Sequence, residues 1–194
     1  MTHRSFLSLV VAAACVGAGC RLKPPEVVPA RMIEPRLIET LPPAGIRSDH
    51  AVSVRLLSTE ARGHIGRRLL HQRAGGELVE DEQWRWTSAP DRYLDMALRL
   101  ALESSPEVRL VEAGNVTVLA VTLLEWHLES ADTTQLVGAI DVEITGTDRI
   151  VHTYVLHGKE QVSAPLPGDL AAAAGRLLQA LASQSVARTL HAVQ

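Results

Sequence analysis

Cys20 is the residue of this 194-residue sequence whose position most clearly predicts chemistry. It follows a basic start at Arg4, an apolar run over residues 6–16 and the small residues 17–19. These three features together indicate a secretory signal peptide over residues 1–19. The apolar run is shorter than the roughly 20 residues that a membrane-spanning helix needs. The Cys20 thiol is therefore expected at the start of an exported chain.

The segment Val16-Gly17-Ala18-Gly19-Cys20 resembles the lipobox of bacterial lipoproteins. The resemblance implies that the Cys20 thiol carries a diacylglycerol and becomes the first residue after cleavage, so that lipid tethers the chain to a membrane. Gly17 stands where that pattern prefers Leu, which leaves cleavage without lipid attachment as the alternative. Arg21 replaces the Asp that often retains lipoproteins at the inner membrane. The expected location is the periplasmic face of the cell envelope, with the outer membrane favoured over the inner.

The other side chains that could support catalysis form no recognisable constellation. His152 and His157 would face opposite sides of a strand, and no histidines pair at metal-ligand spacing on a helix. Asp141 and Glu143 share one strand face, but a solvated polar surface accounts for them. Serine-nucleophile, zinc-protease, phosphate-loop and dinucleotide motifs are all missing from the sequence. The sequence therefore predicts a protein that is not an enzyme and needs no metal or cofactor. A hydrolase whose active site matches none of these motifs is an alternative.

Composition excludes further classes. The formal net charge is −3 and the charged residues are scattered, so there is no electrostatic footprint for nucleic acid. Cys15 leaves with the signal peptide and Cys20 is the expected lipid site, which leaves no thiol for a disulfide or a metal. No second hydrophobic run is long enough to span a bilayer.

Proline content divides the rest of the chain. Residues 20–49 hold six of the ten prolines and are expected to form a semi-rigid spacer behind the lipid. Residues 36–39 within it could add an edge strand. Residues 50–194 are predicted to form a single folded domain.

Hydrophobic periodicity predicts strands, a helix, more strands and a second helix. The strands are expected at residues 51–57, in a hairpin around the turn 74–76, and at 116–128, 135–145 and 149–157. The even positions of residues 116–128 form one mostly apolar face. One helix starts at Ser88-Ala89-Pro90-Asp91, and the other covers residues 170–190. This order predicts an α+β sandwich, a mainly antiparallel β-sheet with two helices packed on one face.

Trp84 and Trp86 are the aromatic pair with the clearest functional interest. They lie two residues apart, so both indoles point to the same side of an extended segment. One interpretation is that they pack under the following helix. The other is that one of them contacts a protein or lipid partner, because Trp favours interfaces with one wet end. The sequence leaves both interpretations open.

At this level of detail the layout is similar to the ABC-type transport auxiliary lipoproteins, the PqiC-like family. The resemblance includes Cys20 with its Pro-rich lead and the first core strand at residues 52–56. It also includes the Trp-containing segment 82–90, which leads directly into the helix at residues 93–102. Long strands and a closing Ala/Leu-rich helix complete the likeness, which covers roughly residues 35–190.

This resemblance implies a non-catalytic accessory component of an envelope lipid transport system. Its partners would be an MCE-domain protein together with the ATPase and permease of an ABC transporter. The chain would anchor or dock that assembly at the outer membrane and could form a homo-oligomer. The alternative is an envelope-assembly lipoprotein that binds a cell-wall synthase or a lipopolysaccharide-assembly partner.

Overall fold

The structure is a computed structural model that describes residues 29–37, 48–130, 133–164 and 166–193. Within these residues the strands, in chain order, are β1 (Arg31–Ile33), β2 (Val52–Leu56), β3 (Glu60–Ala61), β4 (Arg68–Gln72), β5 (Leu78–Trp86), β6 (Val108–Leu110), β7 (Thr117–Ser130), β8 (Thr134–Thr145) and β9 (Val151–Gln161). The helices are α1 (Pro90–Ser104), between β5 and β6, and α2 (Pro167–Ala192), after β9.

The long strand β7 lies at the centre of the sheet. Along one edge it pairs antiparallel with β8, from Val118 opposite Thr145 to Ser130 opposite Thr134. Along its other edge β7 pairs in parallel with three short strands, β2, β3 and β4, one after another. Strand β6 joins β2, β5 joins β4, β1 joins β5, and β9 lies beside β8. The sheet is therefore mixed, and its long pairs are antiparallel.

The predicted α+β class with two helices on one sheet face is confirmed. Helix α1 contacts β6 and β7, α2 contacts β8 and β9, and the two helices contact each other. The β8–β9 hairpin turns at Gly146, whose N–H donates to the carbonyl of Ile150 at 2.9 Å. Helix α1 starts at Pro90, as predicted, because proline suits the first helical turn, where its missing N–H has no partner to lose.

Helix α2 lies close to the sheet because small residues line the contact. A Cβ added to Gly158 of β9 would lie 2.5 Å from Cδ1 of Leu177, and one added to Gly138 of β8 would lie 3.1 Å from Cε3 of Trp126. Leu177 and Leu181 of α2 are buried against these strands. A side chain at Gly158 would force the Leu177 side chain to shift from its place against β9.

The folded part of the chain begins earlier than the sequence predicts. Strand β1 pairs with β5, and the N–H of Arg36 donates to the carbonyl of Ala171 in α2 at 3.0 Å. A Cβ added to Gly175 would overlap the carbonyl oxygen of Arg36. Residues 29–37 therefore belong to the fold rather than to a free spacer. The edge strand suggested at residues 36–39 is not present at residues 36 and 37, and residues 38 and 39 lie outside the described residues; the strand in this segment is β1.

Strand β7 corrects one predicted face. Its register with β8 shifts between Leu123 and Glu125, which is a β-bulge. Before the bulge the prediction that even positions face the core is wrong, because the odd positions Leu119 and Leu123 are buried. After the bulge the prediction is correct, because Trp126 is buried. The alternation predicted for β8 is confirmed by its buried residues, Leu136, Gly138, Ile140, Val142 and Ile144.

Candidate functional site

Trp86 lies at the centre of the core. Its side chain is 0 % exposed, and its ring centroid lies 5.8 Å from that of Trp126. Both indoles point to the sheet face that the helices cover, which we call the inner face. Trp86 is therefore a core residue rather than a partner contact, because a fully buried indole has no surface to offer a partner.

Trp84 lies on the same side of β5 but at the margin of the core, where it is partly exposed. Arg31 of β1 is its partner in the strand register, and the Arg31 guanidinium lies 5.5 Å from the centre of the indole. This distance is within the range of a cation–π contact. Trp84 therefore combines a packed side with a wet side, and its role as a partner contact stays a prediction.

A partly buried carboxylate that the sequence analysis did not single out, Asp81, positions Trp84. Oδ1 of Asp81 accepts hydrogen bonds from the N–H groups of Gln83 and Trp84, both at 2.8 Å. Oδ2 of Asp81 lies 2.9 Å from Nε2 of His71 on β4. Burial would raise the pKa of Asp81, but the hydrogen bonds from Trp84, Gln83 and His71 outweigh it and lower that pKa. An Asp that binds N–H groups two and three residues later is a local signal that a sequence can show.

The sheet face opposite the helices, which we call the outer face, carries a polar cluster at β7 and β9. Because Trp126 faces the core, its neighbours Glu125 and His127 face outward. A surface cavity of about 190 Å³ lies over this cluster. Its lining consists mainly of polar side chains, including Gln72, Glu125, His127, Glu129, His157 and Lys159.

His127 is the buried member of this cluster, with 6 % of its surface exposed. Burial lowers the pKa of His127, the charges of Lys159 and His64 lower it further, and Glu125 and Glu129 act in the opposite direction. Nζ of Lys159 donates to Oε2 of Glu129 at 2.6 Å, and this bond lowers the pKa of Glu129. The cluster thus offers a partner a neutral imidazole beside an ion pair.

The other titratable side chains considered in the sequence analysis do not form a common site. His157 lines the outer-face cavity, whereas His152 lies at the opposite parity on β9, as predicted. Asp141 and Glu143 follow each other on the outer side of β8, and neither has an ion-pair partner among the described residues. No group of three or more His, Cys, Asp or Glu in the described part of the chain could hold a metal ion.

Cys20, the predicted lipid site, lies outside the described residues. Lipid attachment therefore stays a prediction. In the ranges that the structure describes, neither helix is long and apolar enough to cross a membrane.

Strand β9 forms an open edge of the sheet. It pairs with β8 over Val151–Gln161 and with no other strand among the described residues. Three apolar side chains along or beside it, Ile150, Val151 and Val155, are each more than half exposed. An edge of this kind can pair with a strand from another chain, which makes it a candidate surface for self-association.

Solved structures share this fold at low sequence identity. A Xanthomonas campestris protein of the family DUF330 matches with a TM-score of 0.69 at 18 % identity, over 83 % of this chain and 95 % of its own. An uncharacterized protein matches at 0.61 and 13 % identity, over 85 % and 99 % of the two chains. A hypothetical protein from Chlamydia trachomatis matches at 0.51 and 13 % identity, over 71 % and 95 %. No family model and no curated protein sequence matches the chain. What these likenesses establish is a shared α+β fold.

Proposed function

We propose that the chain is a lipid-anchored accessory component of an ABC/MCE-type envelope lipid transport system. It docks or anchors the transporter at the outer membrane and has no catalytic role. The ABC/MCE assignment rests on the sequence resemblance to the PqiC-like auxiliary lipoproteins. The anchor rests on the lipobox-like segment that ends at Cys20.

The observation that carries the docking role is the position of Trp84. Its partly exposed indole lies beside Arg31, on the strand that pairs with β1. Arg31 follows Cys20 by eleven residues. At roughly 3.6 Å per extended residue, the lipid can lie no more than about 40 Å along the chain from this point. A partner that contacts Trp84 would therefore be held within about 40 Å of the lipid anchor.

A non-catalytic role is supported by what the polar groups near these surfaces do. Asp81 and His71 fix the backbone that carries Trp84. Lys159 and Glu129 neutralise each other on the outer face. Each of these groups has a structural partner already, which is the arrangement expected of a binding domain.

Self-association is supported by the open edge of β9. A second copy could add its own edge strand there, with main-chain hydrogen bonds continuing the sheet. The exposed side chains of Val151 and Val155 would then be covered across the new pair.

The test is a crosslinked pull-down of the lipidated chain from detergent-solubilised envelopes, with partners identified by mass spectrometry. We expect an MCE-domain protein together with its ATPase and permease. Trp84→Ala should reduce their recovery, whereas Met96→Ala, which removes an exposed side chain on α1, should not. Recovery of a cell-wall synthase or a lipopolysaccharide-assembly protein, with no MCE component, would overturn the transport proposal in favour of an envelope-assembly role.

A further inference from the structure

The outer face carries a second surface cavity, of about 530 Å³, between the β3–β4 connection and β5. Part of its lining is apolar, because it includes Leu70, which is 5 % exposed, and Leu78, which is 39 % exposed. Three of the polar side chains around it are basic, His64, Arg67 and Arg68, and one is acidic, Glu80. The cavity therefore combines an apolar floor with a cationic rim.

The arginines beside this cavity are not fully neutralised by the protein. Arg68 lies directly opposite Arg85 in the antiparallel register of β4 and β5. Because Trp86 faces the core, Arg85 faces outward with Arg68. Like charges placed directly opposite each other destabilise a sheet, so this pairing calls for a compensating negative charge.

The protein itself supplies only part of the negative charge that Arg68 and Arg85 require. Nη1 of Arg68 pairs with Oε2 of Glu80 at 2.5 Å, on a pair of side chains that are about half exposed. Arg85 has no ion pair in the described ranges, and its buried Nε atom has no hydrogen-bond partner there. Arg67 adds a third guanidinium, held in place by a hydrogen bond from Nε to the carbonyl oxygen of Trp86 at 3.3 Å. An anion bound here would meet donors that are already positioned.

We propose that this cavity binds a phosphate-bearing amphiphile, such as a phospholipid. Guanidinium groups bind phosphate oxygens through paired, charge-assisted hydrogen bonds, and Arg67 and Arg68, which line the cavity, supply them. Arg85, opposite Arg68 in the strand register, adds positive charge beside the cavity. The apolar chain of the same molecule covers Leu70 and Leu78. An acidic protein segment would satisfy the arginines but leave these leucines in water, so a phosphorylated lipid uses more of the site.

This inference deepens the proposed function by naming a ligand class, and it rests on that function for its biological setting only. The binding test below uses purified protein and no transporter. A negative result would therefore leave the pull-down result standing, and a failed pull-down would leave the binding result standing.

The test is isothermal titration calorimetry of the full chain in dodecyl maltoside micelles. The probes are dihexanoyl-phosphatidylglycerol, dihexanoylglycerol, inorganic phosphate and a hexaglutamate peptide. We expect the phosphatidylglycerol to bind about tenfold or more tightly than the other three, because it alone uses both the arginines and the leucines. Equal binding of inorganic phosphate would assign the site to the free anion, and preference for hexaglutamate would assign it to an acidic protein. Either result overturns the lipid proposal.

Variants locate the binding. Arg68→Gln, at an arginine that lines the cavity, should weaken phosphatidylglycerol binding about tenfold, since a charge-assisted hydrogen bond is lost. The matched control is Arg73→Gln, an exposed arginine paired with Glu77 at the hairpin, which should change the affinity by less than about twofold. Leu78→Asn should weaken binding of the lipid but not of phosphate. Equal affinities for the two arginine variants would overturn the proposal.

A variant that strengthens binding distinguishes a direct effect on the site from a loss of folding. Glu80→Gln removes the carboxylate that competes for Arg68 and should strengthen binding of the phosphatidylglycerol several-fold. An unchanged or weaker affinity, in a variant that melts like the wild type, would mean that Arg68 does not contact the ligand and would overturn the site.

Discussion

Trp86 of β5 and Trp126 of β7 meet in the core with ring centroids 5.8 Å apart and ring planes tilted by 57°. Aromatic rings favour tilted and offset contacts at this separation over a parallel sandwich. Their strands are separated in the sheet by β4. The contact therefore ties the strand that carries Trp84 to the central strand of the fold.

Trp86→Ala should be strongly destabilising because it leaves a cavity against Trp126. We expect a loss of about 3–5 kcal/mol in the free energy of unfolding, measured by urea denaturation. Trp84→Ala is the matched control, since it lies on the same strand but is partly exposed. It should cost clearly less. Equal losses for the two variants would contradict the assignment of Trp86 to the core and Trp84 to its margin.

Gly175→Ala should destabilise the contact between α2 and the segment that leads into the fold. Alanine favours a helix interior over glycine by about 1 kcal/mol. The added Cβ would overlap the carbonyl oxygen of Arg36, however, and moving that backbone also breaks the hydrogen bond to Ala171. With about 1–3 kcal/mol for overpacking and about 1 kcal/mol for the hydrogen bond, we expect a net loss of about 1–3 kcal/mol.

The control for this variant is Gly168→Ala, in the first turn of the same helix. The nearest atom to its added Cβ is Nη2 of Arg36 at 3.8 Å, an ordinary contact. Urea denaturation should show little change for Gly168→Ala. If Gly175→Ala were as stable as this control, residues 34–37 would not be packed against α2 as described.

Strands β7 and β8 show how far the pattern of a sequence can determine a face. In β8 apolar and polar residues alternate strictly from Ile140 to Glu143, and the predicted face is found. Residues 118–121 of β7 are apolar at both parities, so periodicity does not choose between the two faces. The buried face changes from odd to even positions at the bulge between Leu123 and Glu125, where the register with β8 shifts, and no local pattern shows this shift.

The candidate site shows a similar limit. Two-residue spacing correctly predicts that Trp84 and Trp86 share a side, because that follows from strand geometry alone. Which indole is covered depends on where Trp126 and β1 lie, and these are contacts between distant parts of the chain. The opposition of Arg68 and Arg85 also depends on strand register, including an irregularity after Arg68 that no local pattern reveals.

Stability should fall as the pH drops through the region where the unfolded chain protonates His127. Burial lowers the pKa of His127 in the folded protein from its ordinary value of 6.5. Below about pH 6.5 the unfolded state therefore binds more protons than the folded state, and the free energy of unfolding decreases until the lowered folded pKa is reached. The pKa of Asp81 is lowered as well, but the stability linked to it is lost only as the pH falls below 3.8.

Urea denaturation at pH 8 and at pH 5 measures this dependence. His127→Gln should reduce the difference between the two values, whatever its effect on stability at either pH. His157→Gln removes an exposed imidazole of β9 that lines the same outer-face cavity and should leave the difference as it is. A wild-type pH dependence in His127→Gln would show that this buried histidine is not its source.

Cys20→Ala should separate the anchor from the fold. The variant loses the thiol that would carry the lipid, whereas the contacts of residues 29–37 with β5 and α2 begin at Arg31, eleven residues later, and should persist. We expect a protein that leaves the membrane fraction, keeps the wild-type melting temperature and no longer supports function in cells. Cys15→Ala removes a thiol inside the apolar run and should stay with the membranes. If Cys20→Ala still sediments with membranes and complements a deletion, the thiol of Cys20 is not the anchor.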